Sequence, residues 1–239
     1  MSIKYTDVKV FCDFDGTITL KDVGNKLFER VGHFEELNQE FREGKLSIYK
    51  YWHKLCKSLP NSTTLSDLRE QAKAFDIDPY FVSFVEYCKD NKLDLYVVSD
   101  GFDFYINQIL EQNGLDLPVV SNKLIEKESH LQPEYTFASE SCNCYSANCK
   151  RNFVLNTSTE SSLKIYIGDG YSDFCAAEHC DIIFAKKYLA THCNENSLPH
   201  YNFKTFFDVK RILEKKINEN SFKKRNRATV NAKNAYKYE

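Results

Sequence analysis

The sequence predicts an α/β fold: a three-layer core built on a mostly parallel sheet, with a small helical insert after the first strand. Three observations predict it. Short β-type runs at 8–12, 93–99, 163–167 and 182–185 alternate with helical patterns. The first three of these runs each end in a polar loop carrying aspartate or serine. The stretch from about residue 22 to 87 keeps a helical period and contains no strand pattern. Alternation of this kind builds a parallel sheet with helices on both faces, and 239 residues suffice for one such core plus an insert.

Val8-Lys9-Val10-Phe11-Cys12 is apolar and stops at Asp13-Phe14-Asp15-Gly16-Thr17, so acidic residues stand where a buried strand ends. Leu27, Phe28, Val31, Phe34, Leu37 and Phe41 then recur at three- and four-residue spacings, broken at Gly32, Gly44 and Pro60-Asn61-Ser62. Leu93 to Ser99 reads as the second strand, ending in Ser99-Asp100-Gly101, before a helix from Phe102 to Asn113 that Gly114 terminates. Short β pieces, Val119-Val120 and Lys123-Leu124-Ile125, precede a cysteine-rich stretch from Ser139 to Cys149 and a helix to about Asn156. Leu163 to Ile167 is the third clear strand. Gly168-Asp169-Gly170-Tyr171-Ser172-Asp173 follows it, then a helix to about His179 and a strand at Ile182 to Ala185. Phe206 to Ile217 reads as an amphipathic helix. Residues 221–239 hold six basic residues and one acidic residue, with no apolar period, which predicts a mobile tail.

Composition narrows the function classes. Lys and Arg number 32 against 34 Asp and Glu, and without the tail 26 against 33, so no basic field points to nucleic acid. Hydrophobic residues at 42% and a mean hydropathy of -0.51 describe an ordinary soluble chain. No run approaches the roughly 18 apolar residues of a membrane span, and the run at 8–12 is too short for a signal-peptide core. The expectation is a cytoplasmic protein with no membrane or nucleic-acid partner and with reduced thiols, despite nine cysteines. Cys12, Cys56, Cys88, Cys175 and Cys180 read as buried filler.

The ends of parallel strands are where such sheets bind ligands. Asp13 and Asp15 follow the first strand, Ser99 the second, and Asp169 with Asp173 the third. Carboxylates gathered this way repel one another, and a hard divalent cation with oxygen ligands, most economically Mg²⁺, resolves the repulsion. A calcium loop does not fit, because Gly16 stands fourth where an EF-hand needs it sixth, and the twelfth residue is Gly24. No phosphate-binding G-x-x-x-x-G-K-[ST] loop is present.

Asp-Phe-Asp-Gly-Thr at 13–17, Ser99 after a hydrophobic strand, a downstream lysine, and Gly-Asp-Gly-Tyr-Ser-Asp at 168–173 resemble, in order, the four motifs of the haloacid dehalogenase superfamily of phosphotransferases. The set spans residues 8 to about 185. The resemblance implies a Rossmannoid catalytic core over 1–18 and 89–220, a small helical cap over 19–88, and the basic tail at 221–239. It also implies a phosphatase acting on a small phosphorylated metabolite. Asp13 would be the nucleophile that takes the phosphoryl group, and Asp15 the acid and base. Ser99, backbone N–H groups near Asp100 and Gly101, and a lysine would hold the phosphoryl oxygens. Asp13, Asp15 through its carbonyl, Asp169 and Asp173 would hold Mg²⁺. Lys150, at the start of a helix before the third strand, matches the family lysine best, with Lys123 and Lys127 as rivals.

The segment Cys142-Asn143-Cys144-Tyr145-Ser146-Ala147-Asn148-Cys149-Lys150 is similar to the cysteine-bearing stretch of phosphocholine/phosphoethanolamine phosphatases and the related methionine-salvage phosphatases. Gly16 and the C-x-C spacing depart from the eukaryotic members. Its thiols could pack or bind zinc with a fourth ligand such as His130, packing being the reading favoured here. Asp22 is either a polar contact for a substrate amine or a helix N-cap. Tyr49, Tyr51 and Trp52 either face a quaternary ammonium or, as we favour, pack the cap. Transfer to an acceptor other than water, and a scaffold without turnover, are the alternatives; an intact Asp15 argues against the scaffold.

Overall fold

Val8–Cys12 forms β1 at the centre of the sheet because, Lys9 apart, its side chains are apolar on both sides of the pleat. This computed structural model describes residues 7–29, 33–127, 130–137, 142, 144 and 146–238, with the backbone alone for 236–238. Val31, Gly32 and parts of the 139–149 stretch fall outside the described residues. The remaining strands are β2 (Leu93–Phe102), β3 (Val119–Lys127), β4 (His130–Glu134), β5 (Leu163–Gly168), β6 (Ile182–Ala185) and β7 (Tyr201–Asn202), in spatial order β4-β3-β2-β1-β5-β6-β7. Neighbours pair in parallel except β3 and β4, an antiparallel pair at one edge, and the short β pieces anticipated at 119–120 and 123–125 are both parts of β3. Val8 lies beside Leu93 and Leu163, and Cys12 beside Val97 and Ile167, so the three motif loops leave the sheet at one edge.

The helices are α1 (Val23–Phe28), α2 (Phe34–Arg42), α3 (Ile48–Lys57), α4 (Leu65–Ala72), α5 (Phe81–Asp90), α6 (Asp103–Gln112), α7 (Lys150–Thr157), α8 (Phe174–Ala177), α9 (Lys187–Glu195), α10 (Phe206–Asn218) and α11 (Asn226–Tyr238). Val10, Cys12, Val97 and Ile165 pack in one apolar layer with residues of α5, α6 and α10. Phe11, Val98, Tyr166 and Ile183 pack in the other with Val154 of α7, Ala176 of α8 and Leu189 of α9. Burial on both faces is why these strands read as unbroken apolar runs.

The insert begins and ends side by side. Thr19 bridges Ile77, the Leu20 N–H donates to the Asp76 carbonyl at 3.2 Å, and the Asp78 N–H donates to the Ile18 carbonyl at 2.8 Å. Helices α1 to α4 lie between these two ends, and side-chain caps at Asp22, Ser47 and Thr64 start α1, α3 and α4. Helix α5 falls inside the span expected for the cap, yet Phe81 and Phe84 meet Phe206 of α10 at ring distances of 4.8 and 5.1 Å, which puts it in the sheet layer. Periodicity does not change between a cap helix and a core helix, so the sequence pattern ran through both.

Two further readings are corrected. β2 does not stop at Ser99; it continues to Phe102 through a shift of register against β3. Residues 221–239, expected to be a mobile tail, contain α11, with Ala228 and Ala232 buried. The Arg225 side chain anchors it by donating to the carbonyls of Ala177 and Glu178, both at 2.9 Å, while its N–H donates to Asp181 Oδ1.

Candidate active site

Asp13 leaves β1 still paired, its N–H donating to the Ile167 carbonyl at 2.9 Å, and this fixes the carboxylate at the sheet edge. Gly16 then turns the chain at φ +70°, and a Cβ at that position would stand 2.6 Å from Asp169 Oδ2. Only glycine supplies both the left-handed turn and the close approach of the first loop to the third.

The buried Lys150 ammonium joins two of the loops, with Nζ 2.6 Å from Asp13 Oδ1 and 2.7 Å from Asp173 Oδ1. Burial opposes its charge, but Asp13 and Asp173 outweigh burial and hold it above the ordinary lysine value. Asp173 is saturated. Its Oδ1 also accepts from the Tyr166 hydroxyl at 2.7 Å, and its Oδ2 accepts the N–H groups of Asp169 and Gly170, both at 2.9 Å. Asp169 accepts from the Thr17 hydroxyl at 3.0 Å and pairs with the Lys187 ammonium at 2.7 Å.

One oxygen each of Asp13, Asp169 and Asp173 lie within 4.8 Å of one another. Burial, followed by the Asp173 charge, pushes the Asp13 carboxyl well above the usual range. That is the mark of a carboxylate cluster short of positive charge. The donors are hard oxygens, and no hydrogen bond among the described residues reaches Asp13 Oδ2, so the set fits a hard divalent cation. The saturated Asp173 is better suited to orienting Lys150 and the 169–170 backbone than to direct ligation.

The Asp15 carboxylate is not in that cluster. It turns toward the insert, where Oδ1 accepts the N–H groups of Val23 (2.8 Å) and Gly24 (3.2 Å) and Oδ2 accepts from the Tyr105 hydroxyl (2.5 Å) and from Ser99 Oγ (3.4 Å). Burial raises its carboxyl against the lowering effect of these donors. Ser99 Oγ also accepts the Gly101 N–H at 3.0 Å. The Asp100 side chain faces away, accepting the Asn148 N–H at 2.8 Å, and burial lifts its pKa to about 6.

Asp13, Asp15, Ser99, Lys150, Asp169 and Asp173 thus meet at one edge of the sheet. Gly101 joins them through its N–H on Ser99 Oγ, whereas the rival lysines and the cap aromatics lie elsewhere. Asp22 caps α1, accepting the Asn25 N–H at 2.8 Å, and lies near enough to the site that burial, followed by the charge of Asp15, pushes its carboxyl up to about 7. Lys123 sits 3.9 Å from Glu134 on the hairpin, and Lys127 ends β3. Tyr51 and Trp52 are buried among Phe28, Phe41 and Phe102, and Tyr49 packs on Tyr135. The sequence reading missed Tyr105, Tyr166, Asn148 and Lys187. Asn148 ties the end of β2 to β3 by donating to the carbonyls of Ser99 (2.7 Å) and Val120 (3.1 Å). Tyr105 carried a signal, since it stands four residues after Gly101, in the first turn of the helix that follows the second motif.

The putative phosphatase family matches residues 8–206. A Brevibacillus brevis protein named 2-hydroxy-3-keto-5-methylthiopentenyl-1-phosphate phosphatase is 31% identical over 209 residues, covering 86% of this chain and 94% of that one. A Bacillus cytotoxicus protein of the same name is 28% identical over 218 residues, covering 87% and 96%. Among solved structures, a substrate-bound phosphoserine phosphatase has a TM-score of 0.67 at 19% identity, covering 87% of this chain and 99% of that chain. A phospho-aspartyl intermediate analogue of phosphoserine phosphatase has a TM-score of 0.64 at 20% identity, covering 87% and 98%.

Proposed function

Because the chain belongs to the putative phosphatase family and is a phosphomonoesterase of the haloacid dehalogenase type, we propose that Asp13 is its nucleophile, Asp15 its acid and base, and Mg²⁺ its metal. The observation that carries this reading is the convergence of Asp13, Asp169 and Asp173, two of them bonded to the Lys150 ammonium.

Asp13 attacks phosphorus, forming an O–P bond as the bond to the leaving oxygen breaks. Asp15 gives its proton to that oxygen, and its burial favours holding the proton beforehand. Asp15 then takes a proton from water as the water oxygen attacks phosphorus and releases the Asp13 carboxylate. Ser99, the 100–101 backbone and Lys150 bind the phosphoryl oxygens, with positive charge where the transition state spreads negative charge. Asp13, the Asp15 carbonyl and Asp169 would hold Mg²⁺, with Asp173 supporting them. The bound ion supplies charge neutralisation between nucleophile and phosphate.

The bridge at 19 and 77 is the natural boundary of the cap, which we place at 20–76, shorter than the 19–88 first expected. The substrate class is a small phosphate monoester. The methylthiopentenyl phosphate for which the Bacillus and Brevibacillus relatives are named is its first candidate. The nine cysteines are unpaired, which suits a reducing cytoplasmic location, and no helix among the described residues is long and apolar enough to cross a membrane.

The test is release of p-nitrophenol from p-nitrophenyl phosphate by the purified chain with Mg²⁺, followed by a panel of that enol phosphate, phosphocholine, phosphoethanolamine and phosphoserine. Asp13→Asn should lose the activity. Turnover that survives in Asp13→Asn overturns the assigned nucleophile.

A further inference from the structure

Outside the carboxylate site, three thiols gather just before Lys150 in the chain and a fourth stands beside one of them. Cys149 occupies the N-cap position of α7, Cys142 and Cys144 come from the segment before it, and Cys175 comes from α8. One sulfur each of Cys142, Cys144 and Cys149 lie within 4.8 Å of one another. Cys144 Sγ is 3.7 Å from Cys149 Sγ, and Cys142 Sγ is 3.6 Å from Cys175 Sγ. A tetrahedral zinc with Zn–S bonds of about 2.3 Å sets its sulfurs about 3.8 Å apart. A disulfide needs about 2.05 Å. The spacing of Cys142, Cys144 and Cys149 therefore suits a shared metal and not a crosslink, and Cys175 stands beside Cys142 as the fourth thiol.

We propose that Cys142, Cys144, Cys149 and Cys175 form a closed zinc-thiolate site that bolts the loop ahead of Lys150 to the helix after Asp173. Cys175 takes the place that the sequence offered to His130, which stands exposed on β4. Binding converts four thiols to thiolates with release of four protons and leaves the site with two net negative charges. All four positions are filled by sulfur, so the role is structural, with no open position for chemistry. Cys149 adjoins Lys150 and Cys175 lies two residues beyond Asp173, so the metal would hold both ends of the 2.7 Å Lys150–Asp173 bond. This proposal does not depend on the phosphatase reading.

The experiment is zinc analysis by mass spectrometry on the full chain, purified with a reductant and desalted after loading with zinc, together with spectra after cobalt replacement. The expected result is one zinc per chain and, with cobalt, sulfur-to-cobalt charge-transfer bands with the intense d–d bands of tetrahedral coordination. Cys142→Ser and Cys175→Ser should each weaken zinc binding by at least about tenfold, with the fold checked by circular dichroism. Cys193→Ser, whose thiol is buried elsewhere against the second apolar layer, should keep full zinc. A chain that retains no zinc overturns the proposal. So do equal binding by Cys142→Ser, cobalt spectra without thiolate bands, or a Cys142–Cys144 disulfide found by mass under reducing purification.

Discussion

The Tyr105 hydroxyl donates a 2.5 Å hydrogen bond to Asp15 Oδ2, joining the first turn of α6 to the loop after β1. That donor favours the carboxylate form while burial favours the acid form, so Tyr105 poises Asp15 between its two duties. Tyr105→Phe removes a lowering influence, and the Asp15 carboxyl rises further. The expected outcome is a pH–rate profile moved as a whole to higher pH, with kcat at neutral pH down roughly tenfold from a lost buried bond worth about 1–3 kcal/mol. A profile that stays in place would mean Tyr105 serves packing alone.

Lys150 stands between two buried carboxylates, and its removal leaves both without their cation. Lys150→Met should destabilise the fold by about 3–5 kcal/mol, read as a lower urea midpoint at unchanged slope. Added Mg²⁺ should recover part of that loss, because the same cluster would gain its positive charge from the ion. Lys150→Arg should not restore activity, since a planar guanidinium does not fit a site built for a compact ammonium.

The acidic ends of the first and third strands were legible because an apolar run that breaks into aspartates is a local pattern. Lys150 was legible only through the family resemblance, as the lysine at a helix start before the third strand, with Lys123 and Lys127 as rivals. Tyr105 and Tyr166 were not, since an aromatic inside an apolar pattern reads as filler until its hydroxyl finds Asp15 or Asp173. Cys175 read as filler too, because its thiol partner lies 33 residues away in the chain. Helix α11 escaped notice because its buried contacts are alanines, whose small apolar area leaves a faint period, and because Arg225 anchors it through carbonyls that sequence does not display.

Gly101 is held to glycine by space. A Cβ there would overlap the Tyr105 hydroxyl and stand 2.7 Å from Asp15 Oδ2. Gly101→Ala should cost about 1–3 kcal/mol of stability as an overpacked position and remove most of the activity by displacing Asp15. Combining it with Tyr105→Phe should cost less than the two changes added together, because the hydroxyl in the overlap is gone. Strict additivity in that double-mutant cycle would show that the two residues do not compete for the same space.

Asp100 gives the fold a dependence on pH that can be separated from catalysis. Burial lifts its carboxyl to about 6, above the unfolded value of about 3.9. A group raised in the folded state contributes stability that is fully present below the unfolded value and is lost as pH rises through the folded one. Between about pH 4 and 6 the protein should therefore lose on the order of 2–3 kcal/mol from this group. Asp100→Asn keeps an oxygen to accept the Asn148 N–H and carries no charge to bury. The variant should match the parent near pH 4 and exceed its stability above pH 6, measured by urea unfolding across that range. Parallel stability curves for the two proteins would mean that Asp100 ionises in the fold without penalty.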